Sequence, residues 1–273
     1  MDLAVGSLRA ARTRKDLCLA PGERLLAGGT WLFSEPQPDV TGLVDLTTLG
    51  WEPVERVGDG LRVAATCTVE QLAAHVPDPA WTAWPLVGAC ADALLMSFKV
   101  QGQATVGGNV ALALPAGAMT SLLVALDAVA VVWTPDGGER REPVVDLVVG
   151  PGRTTLAPGE VLRAFDVPAH ALRARVAVRQ QSLTAVGRSA SLVVARRDAD
   201  GAVTLTVTAA TPRPVQARLA SATTSVPTSV PTSVQVDAVL AGLEWYDDPH
   251  GAPDWRRAVT TLLAHEVVTE VGA

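Results

Sequence analysis

Two Gly-Gly pairs, each followed by a small hydrogen-bonding residue, are the residues of this chain best placed to do chemistry: Leu26-Ala27-Gly28-Gly29-Thr30-Trp31 and Ala104-Thr105-Val106-Gly107-Gly108-Asn109. Each pair follows a short apolar or β-prone stretch. Glycine there lets backbone N–H groups approach a dinucleotide pyrophosphate where any Cβ would collide, while the Thr30 hydroxyl and the Asn109 amide fix orientation. A single Gly-Gly is most often a tight turn or bulge. Read together, the two pairs make one phosphate site. No Gly-x-Gly-x-x-Gly opens a βαβ unit, so a Rossmann site is not supported. Trp31 either covers a bound ring or packs between subdomains, the commoner fate of a lone tryptophan. Asp45 either bonds the glycine loop or caps a nearby turn.

Other chemistry is thinly represented. Cys18, Cys67 and Cys90 are too few and too widely spaced for an iron–sulfur cluster, a Cys-x-x-Cys pair or a zinc ribbon, and read as buried reduced thiols. His75, His170, His250 and His265 show no ligand spacing, and no serine sits in a nucleophile elbow. No catalytic side chain and no metal ligand is assigned, so any redox chemistry must be carried by an organic cofactor. The chain has 273 residues, 48% of them hydrophobic and 18% charged, with a net charge of −6. Its basic residues cluster only in pairs such as Arg140-Arg141 and Arg196-Arg197, which argues against nucleic-acid binding and against an anionic membrane surface. The longest apolar run, around Leu122 to Trp133, is broken by Asp127 and too short to span a bilayer. Charges break every apolar stretch near the N-terminus, so no signal-peptide core is read and a cytoplasmic protein is expected.

The elements that must position the glycine loops follow from periodicity and turn signals. A helix is expected over Ser7 to Lys15, strands over Glu23 to Ala27 and Leu43 to Leu46, and a hairpin of Pro53 to Val57 with Leu61 to Ala65. Thr68-x-x-Gln71 has capping-box form ahead of a helix from Val69 to His75, and a second helix is expected from Ala80 to Leu95. A helix over Ser121 to Leu126, a hairpin of Ala128 to Trp133 with Glu139 to Val144, and a strand over Val161 to Val167 come next. After a break near Pro168, strands are expected at Arg175 to Gln181, Ser189 to Arg197 and Ala202 to Thr208, then helices at Val215 to Ala220, Val236 to Leu243 and Asp254 to Val268. The tandem Thr-Ser-Val-Pro of Thr224 to Val234 reads as an extended loop. Arg256 and Arg257 are expected on a helix face, paired with Glu266 or Glu270 from elsewhere in the fold, with a subunit contact as the alternative. This gives three units: 1–52, small α/β; 53–168, larger α+β; 169–273, sheet and helix.

The residues resemble a known family, the FAD-binding medium subunit of molybdenum hydroxylases such as xanthine dehydrogenase and carbon monoxide dehydrogenase. Leu26-Ala27-Gly28-Gly29-Thr30 followed by Leu43-Val44-Asp45-Leu46 is similar to the family's AGGT loop and IDL strand, and Ala104 to Asn109 to its ATIGGN. Leu122 to Ala128, Leu156-Ala157-Pro158-Gly159-Glu160 and Trp255-Arg256-Arg257 continue the likeness in order. The resemblance implies an α+β fold of the PCMH type, two subdomains enclosing FAD with a C-terminal antiparallel sheet and helix domain. It implies FAD contacts at Leu26, Ala27, Gly28, Gly29, Thr30 and Trp31, at Ala104, Thr105, Val106, Gly107, Gly108 and Asn109, and at Leu162 and Arg179. It also implies a large subunit with the molybdenum cofactor, a small subunit with 2Fe–2S clusters, and NAD or another electron acceptor. Two positions depart from the pattern: Gln101-Gly102 stands for Arg-Asn ahead of the second loop, and Ala118 for an aspartate after Pro115. The alternative reading is a flavin-free structural subunit of such a complex.

Overall fold

The computed structural model describes residues 5–219 and 233–273, so the Thr-Ser-Val-Pro repeat lies, apart from its last residues, outside the described residues. The chain opens with a three-stranded parallel sheet of β1 (Ser7–Ala10), β2 (Glu23–Leu26) and β3 (Gly42–Asp45), in the order β1-β3-β2. The helix expected over Ser7 to Lys15 is therefore corrected to a strand and a single 3-10 turn at Arg14–Leu17. Tertiary pairing overrides the weak helical periodicity. Ser7 to Ala10 runs alongside Gly42 to Asp45, and the Arg9 guanidinium grips the Glu23 carboxylate at 2.8 and 2.7 Å.

The second sheet is antiparallel, built from β4 (Val54–Val57), β5 (Gly60–Ala64), β6 (Val129–Trp133), β7 (Glu139–Pro143) and, after the short ribbon of β8 (Val148–Gly150) and β9 (Arg153–Thr154), β10 (Val161–Val167). Its order is β4-β5-β10-β6-β7, which places β10 at the centre. Helices α1 (Val69–Ala74), α2 (Pro85–Ala93), α3 (Phe98–Gln101), α4 (Val106–Leu112), α5 (Ala118–Ala125) and α6 (Val144–Leu147) belong to the same stretch of chain. The Thr68–Gln71 capping box forms as expected. The helix expected from Ala80 starts later, at Pro85, because a proline lacking an N–H is accommodated in the first turn and not further in. Every residue of α5 is buried, since the helix packs on α2 on one side and on the C-terminal sheet on the other.

After α7 (Ala169–Leu172), the third sheet has the order β11 (Arg175–Gln181), β12 (Ser191–Arg197), β13 (Val203–Thr208), β14 (Val215–Leu219), and α8 (Ser233–Ala241) and α9 (Pro253–Gly272) cover its outer face. The helix expected at Val215 to Ala220 is strand β14 instead. Strand β13 is buried on both faces, so backbone groups along its outer edge lie away from water and need a partner. A second correction concerns Arg256, which is 1% exposed and inside the fold. It donates to the Ala209 carbonyl at 2.7 Å and to Asp248, while Glu266 and Glu270 pair with Arg179. Among the thiols, Cys67 and Cys90 are buried and pushed up to about 12 by desolvation, whereas Cys18 is exposed. Among the described residues no helix is long and apolar enough to cross a membrane.

A charged clamp joins the second and third sheets. Arg196 of β12, buried, donates to the Ala125 carbonyl at 2.7 Å and to the carboxylates of Asp127 and Asp198; Gln216 of β14 donates to Asp127 at 2.8 Å and His170 lies 3.2 Å from it. Burial alone would raise the Asp127 pKa, but the hydrogen bonds from Arg196, His170 and Gln216 outweigh it and hold the carboxyl below its ordinary value. A carboxyl depressed in the fold stabilises it above the unfolded-state pKa, near 4, and that contribution is lost as pH falls through the folded-state value. Asp127 sits at φ 52, a backbone that Asn also tolerates, so Asp127→Asn tests the charge alone. The variant is expected to lose about 2 kcal/mol at pH 7, and the gap between its melting temperature and the wild type's should narrow as pH is lowered below about 4.

Candidate functional site

The chain leaves β2 at Leu26, whose carbonyl accepts from the Leu46 amide at 2.8 Å, and turns at once through Gly28 and Gly29. This turn lies against the approach to the second loop. A Cβ on Gly28 would stand 1.8 Å from the Gln103 carbonyl oxygen, a separation only a bare backbone allows. Gly29 takes φ +68 and its carbonyl accepts from the Phe33 amide at 2.9 Å. Among the described residues, the N–H groups of Gly28, Gly29 and Thr30 have no protein acceptor. They are donors without partners at the edge of a cleft, which suits an oxyanion.

The second loop is built differently. Thr105 caps α4, its Oγ1 accepting from the Gly108 amide at 3.0 Å. The Val106 amide donates to Cys67 at 2.8 Å, that of Gly107 to Ala65 at 2.9 Å and that of Asn109 to Thr105 at 3.0 Å. Both loops were expected to offer backbone N–H groups, but those of the second are spent on the protein. What this loop presents is the bare backbone of Gly108, whose missing Cβ would meet only Thr105 Oγ1 at 2.9 Å, and the Asn109 side chain. Asn109 Oδ1 accepts from the Met119 amide at 3.0 Å, and among the described residues the Nδ2 donor group of this cleft-lining residue has no protein acceptor. Gly107 serves packing, because a Cβ there would lie 2.5 Å from the Ala65 side chain.

The two loops open on one cleft of about 730 Å³, within the range of about 300–1,000 Å³ usual for small-molecule and cofactor sites. Val161 and Leu162 of β10 and Leu156 form one apolar wall, and Leu94, Met96 and Val100 another. Behind the first wall, the Arg163 guanidinium lies 4.4 Å over the Trp51 ring, and Trp51 meets Trp133 edge to face at 5.3 Å. The Arg163 carbonyl accepts from the Ala65 amide at 3.0 Å and Ala65 in turn holds the Gly107 amide, so this stack braces the second loop. Of the ionisable groups on the cleft, Glu160 is clasped by Arg140 at 2.7 Å through both oxygens and held below the ordinary carboxylate range. Arg24 and Arg188 also line the cleft, and among the described residues neither has a carboxylate partner. The balance at the cleft is cationic.

Of the residues expected at the site, Leu26, Ala27, Gly28, Gly29, Thr30, Trp31, Ala104, Thr105, Gly107, Gly108, Asn109 and Leu162 line the cleft. Val106 does not: it is fully buried in the core. Arg179 does not either. Along β11, Val176 and Val178 face the central core and Ala177 the core beneath α9, so alternation carries Arg179 to α9, where it pairs with Glu270 at 2.6 Å and Glu266 at 3.2 Å. Trp31 is 39% exposed at the cleft wall, not packed between units. Asp45 caps a turn, accepting from the Thr47 amide and hydroxyl at 2.8 and 2.6 Å. Sequence reasoning missed Arg24 and Arg188, and neither carries a local signal, since an arginine in a strand edge or a polar loop is ordinary.

The geometry separates the roles of adjacent glycines. Gly107→Val should destabilise the fold by about 3 kcal/mol or more through overpacking against Ala65, read as a drop in melting temperature. Gly108→Val should cost much less stability than Gly107→Val, since its Cβ meets only the Thr105 hydroxyl, while abolishing FAD retention, read from the visible absorbance of the purified protein. Normal flavin content in the second variant would move the site elsewhere.

A family model described as the FAD binding domain in molybdopterin dehydrogenase matches residues 7–170. No curated protein sequence matches. The fold is similar to that of a chain of quinoline 2-oxidoreductase from Pseudomonas putida 86, with a TM-score of 0.81 at 22% identity over 100% of this chain and 98% of that one. It is equally similar to a chain of the carbon monoxide dehydrogenase from Hydrogenophaga pseudoflava that lacks the Mo-pyranopterin moiety (TM-score 0.82, 21% identity, 98% of each chain). A chain of reconstituted CO dehydrogenase from Oligotropha carboxidovorans gives a TM-score of 0.84 at 18% identity, over 100% of this chain and 99% of that one. At these identities the likeness is one of fold, and it runs from end to end. With both glycine loops inside the matched segment and facing one cleft, the chain belongs to the family of FAD-binding domains of molybdopterin dehydrogenases.

Proposed function

We propose that this chain is the FAD-carrying electron-transfer subunit of a multi-subunit molybdenum hydroxylase, broadly xanthine dehydrogenase-like. It would work in the cytoplasm beside a large subunit holding the molybdenum cofactor and a small subunit holding 2Fe–2S clusters. The observation that carries this reading is the convergence of two glycine loops on one cleft, the first with unpaired amides and the second with a bare backbone and an oriented carboxamide. Bound FAD supplies the ability to take electrons singly from iron–sulfur centres and to deliver a pair to NAD or another acceptor.

The chain's own residues bind and orient. The amides of Gly28, Gly29 and Thr30 and the Nδ2 group of Asn109 would hold the diphosphate by donating hydrogen bonds to it. Gly108 lets the backbone come within contact distance of the cofactor. Leu156, Val161 and Leu162 line the cleft and would offer apolar surface to a bound ring. Arg140 neutralises Glu160, the one carboxylate on the cleft among the described residues, so that it would not repel an anionic cofactor. No side chain is given a proton-transfer role. The site conforms to a division of labour in which substrate is chosen and hydroxylated on another subunit.

Purification from the native cell tests the reading. The expected result is a yellow protein with about one FAD per chain, accompanied by two companions whose metal content is molybdenum and iron. A colourless chain that takes up no added FAD would favour the flavin-free structural subunit and overturn the proposal.

A further inference from the structure

The segment that matches the FAD-binding family ends at residue 170, yet the cleft does not. Arg188, in the connection between β11 and β12, lines the same cleft as the two glycine loops. Its place there is set by its neighbour. Ser189, 2% exposed, donates its hydroxyl to the Ala93 carbonyl at 3.3 Å and accepts from Gln180 Nε2 at 2.8 Å, and the Ala190 amide returns to Gln181 at 2.9 Å. These bonds tie the end of the loop to α2, next to Leu94 and Met96 of the cleft wall. The guanidinium itself is exposed, and among the described residues it has no hydrogen-bond or ion-pair partner.

An unpaired cation on a cleft built for a dinucleotide has a use. Ahead of the second loop, where the family pattern carries arginine, this chain has Gln101, whose Nε2 is occupied with the Met96 carbonyl at 3.3 Å. The second loop therefore brings no charge of its own, and its amides are spent. Glu160 is cancelled by Arg140. We infer that Arg188, outside the family's FAD-binding segment, is a cofactor-binding residue: its guanidinium holds an anionic or acceptor oxygen of the dinucleotide, and through it the third unit takes part in retaining the cofactor. The inference rests on the FAD reading above and deepens it. Two groups share the required chemistry, the diphosphate and the carbonyl edge of the flavin ring, and both are bonded well by a planar cationic fork.

The test uses the full chain stripped of flavin, with binding followed by fluorescence quenching for FAD and riboflavin and by calorimetry for ADP. Arg188→Ala is expected to raise the Kd for FAD about tenfold at low salt, Arg188→Lys to recover part of that loss, and the melting temperature of the flavin-free chain to stay unchanged because the side chain makes no internal bond. Raising salt should weaken wild-type binding more than that of Arg188→Ala. A loss on ADP assigns the contact to the diphosphate and a loss on riboflavin assigns it to the ring; either supports the inference. Affinities within twofold of wild type for all three ligands would overturn it while leaving the FAD reading intact. A wild-type chain that binds no FAD overturns both.

Discussion

Contact between two stretches of bare backbone is the constraint on which the site depends. The first glycine turn comes off a parallel sheet and the second off a helix that packs on an antiparallel sheet. They share a cleft because the position of Gly28 lets one chain lie on the carbonyl of Gln103. Any side chain at that point would push the two units apart and widen the cleft between them. The second loop is itself seated by the same device, Gly107 against Ala65, so the cleft walls are fixed by two backbone approaches in series. Behind them, the Arg163 guanidinium stacked on Trp51 ties the small unit to the central strand of the sheet.

Within that frame the hydrogen-bonding capacity is unevenly shared. The second loop uses its amides to cap a short helix and to anchor it to the segment just after β5, and so it is rigid without being a donor. The first loop makes few internal bonds and keeps its amides for a ligand. One side is locked by its own bonds and the other keeps free donors, and on the locked side the α5 amide of Met119 holds the Asn109 carboxamide.

The third unit is more than an appendage. Its sheet shares the central core through Leu192 and Val194, buries α5 against β13, and is clamped to the second unit through Arg196 and Asp127. That rigid junction gives the loop before β12 a fixed place beside the cleft. Where the glycine loops lack charge, a guanidinium from a remote part of the chain stands on the cleft.

Local chemistry was legible in the residues themselves. The capping box at Thr68, the hairpins, the long strands and above all the two Gly-Gly loops are written in short runs of sequence, because turns, caps and close approaches each demand particular residue types within a few positions. Pairing partners are not local. Ser7 to Ala10 and Val215 to Leu219 look helical alone and become strands because β3 and β13 need their edges filled. Arg256 reads as a partner for Glu266 or Glu270 and is buried instead, where a distant carbonyl and Asp248 receive it. Arg179 and Arg188 are indistinguishable as isolated arginines. Strand alternation sends the first to α9 and a pinned loop brings the second to the cleft. Thus residue type and spacing determined where two bare-backbone turns would lie, whereas only the tertiary structure decided that they share a cleft, which loop keeps its amides unpaired and which cation stands by, since these depend on hydrogen bonds closed between segments far apart in the chain.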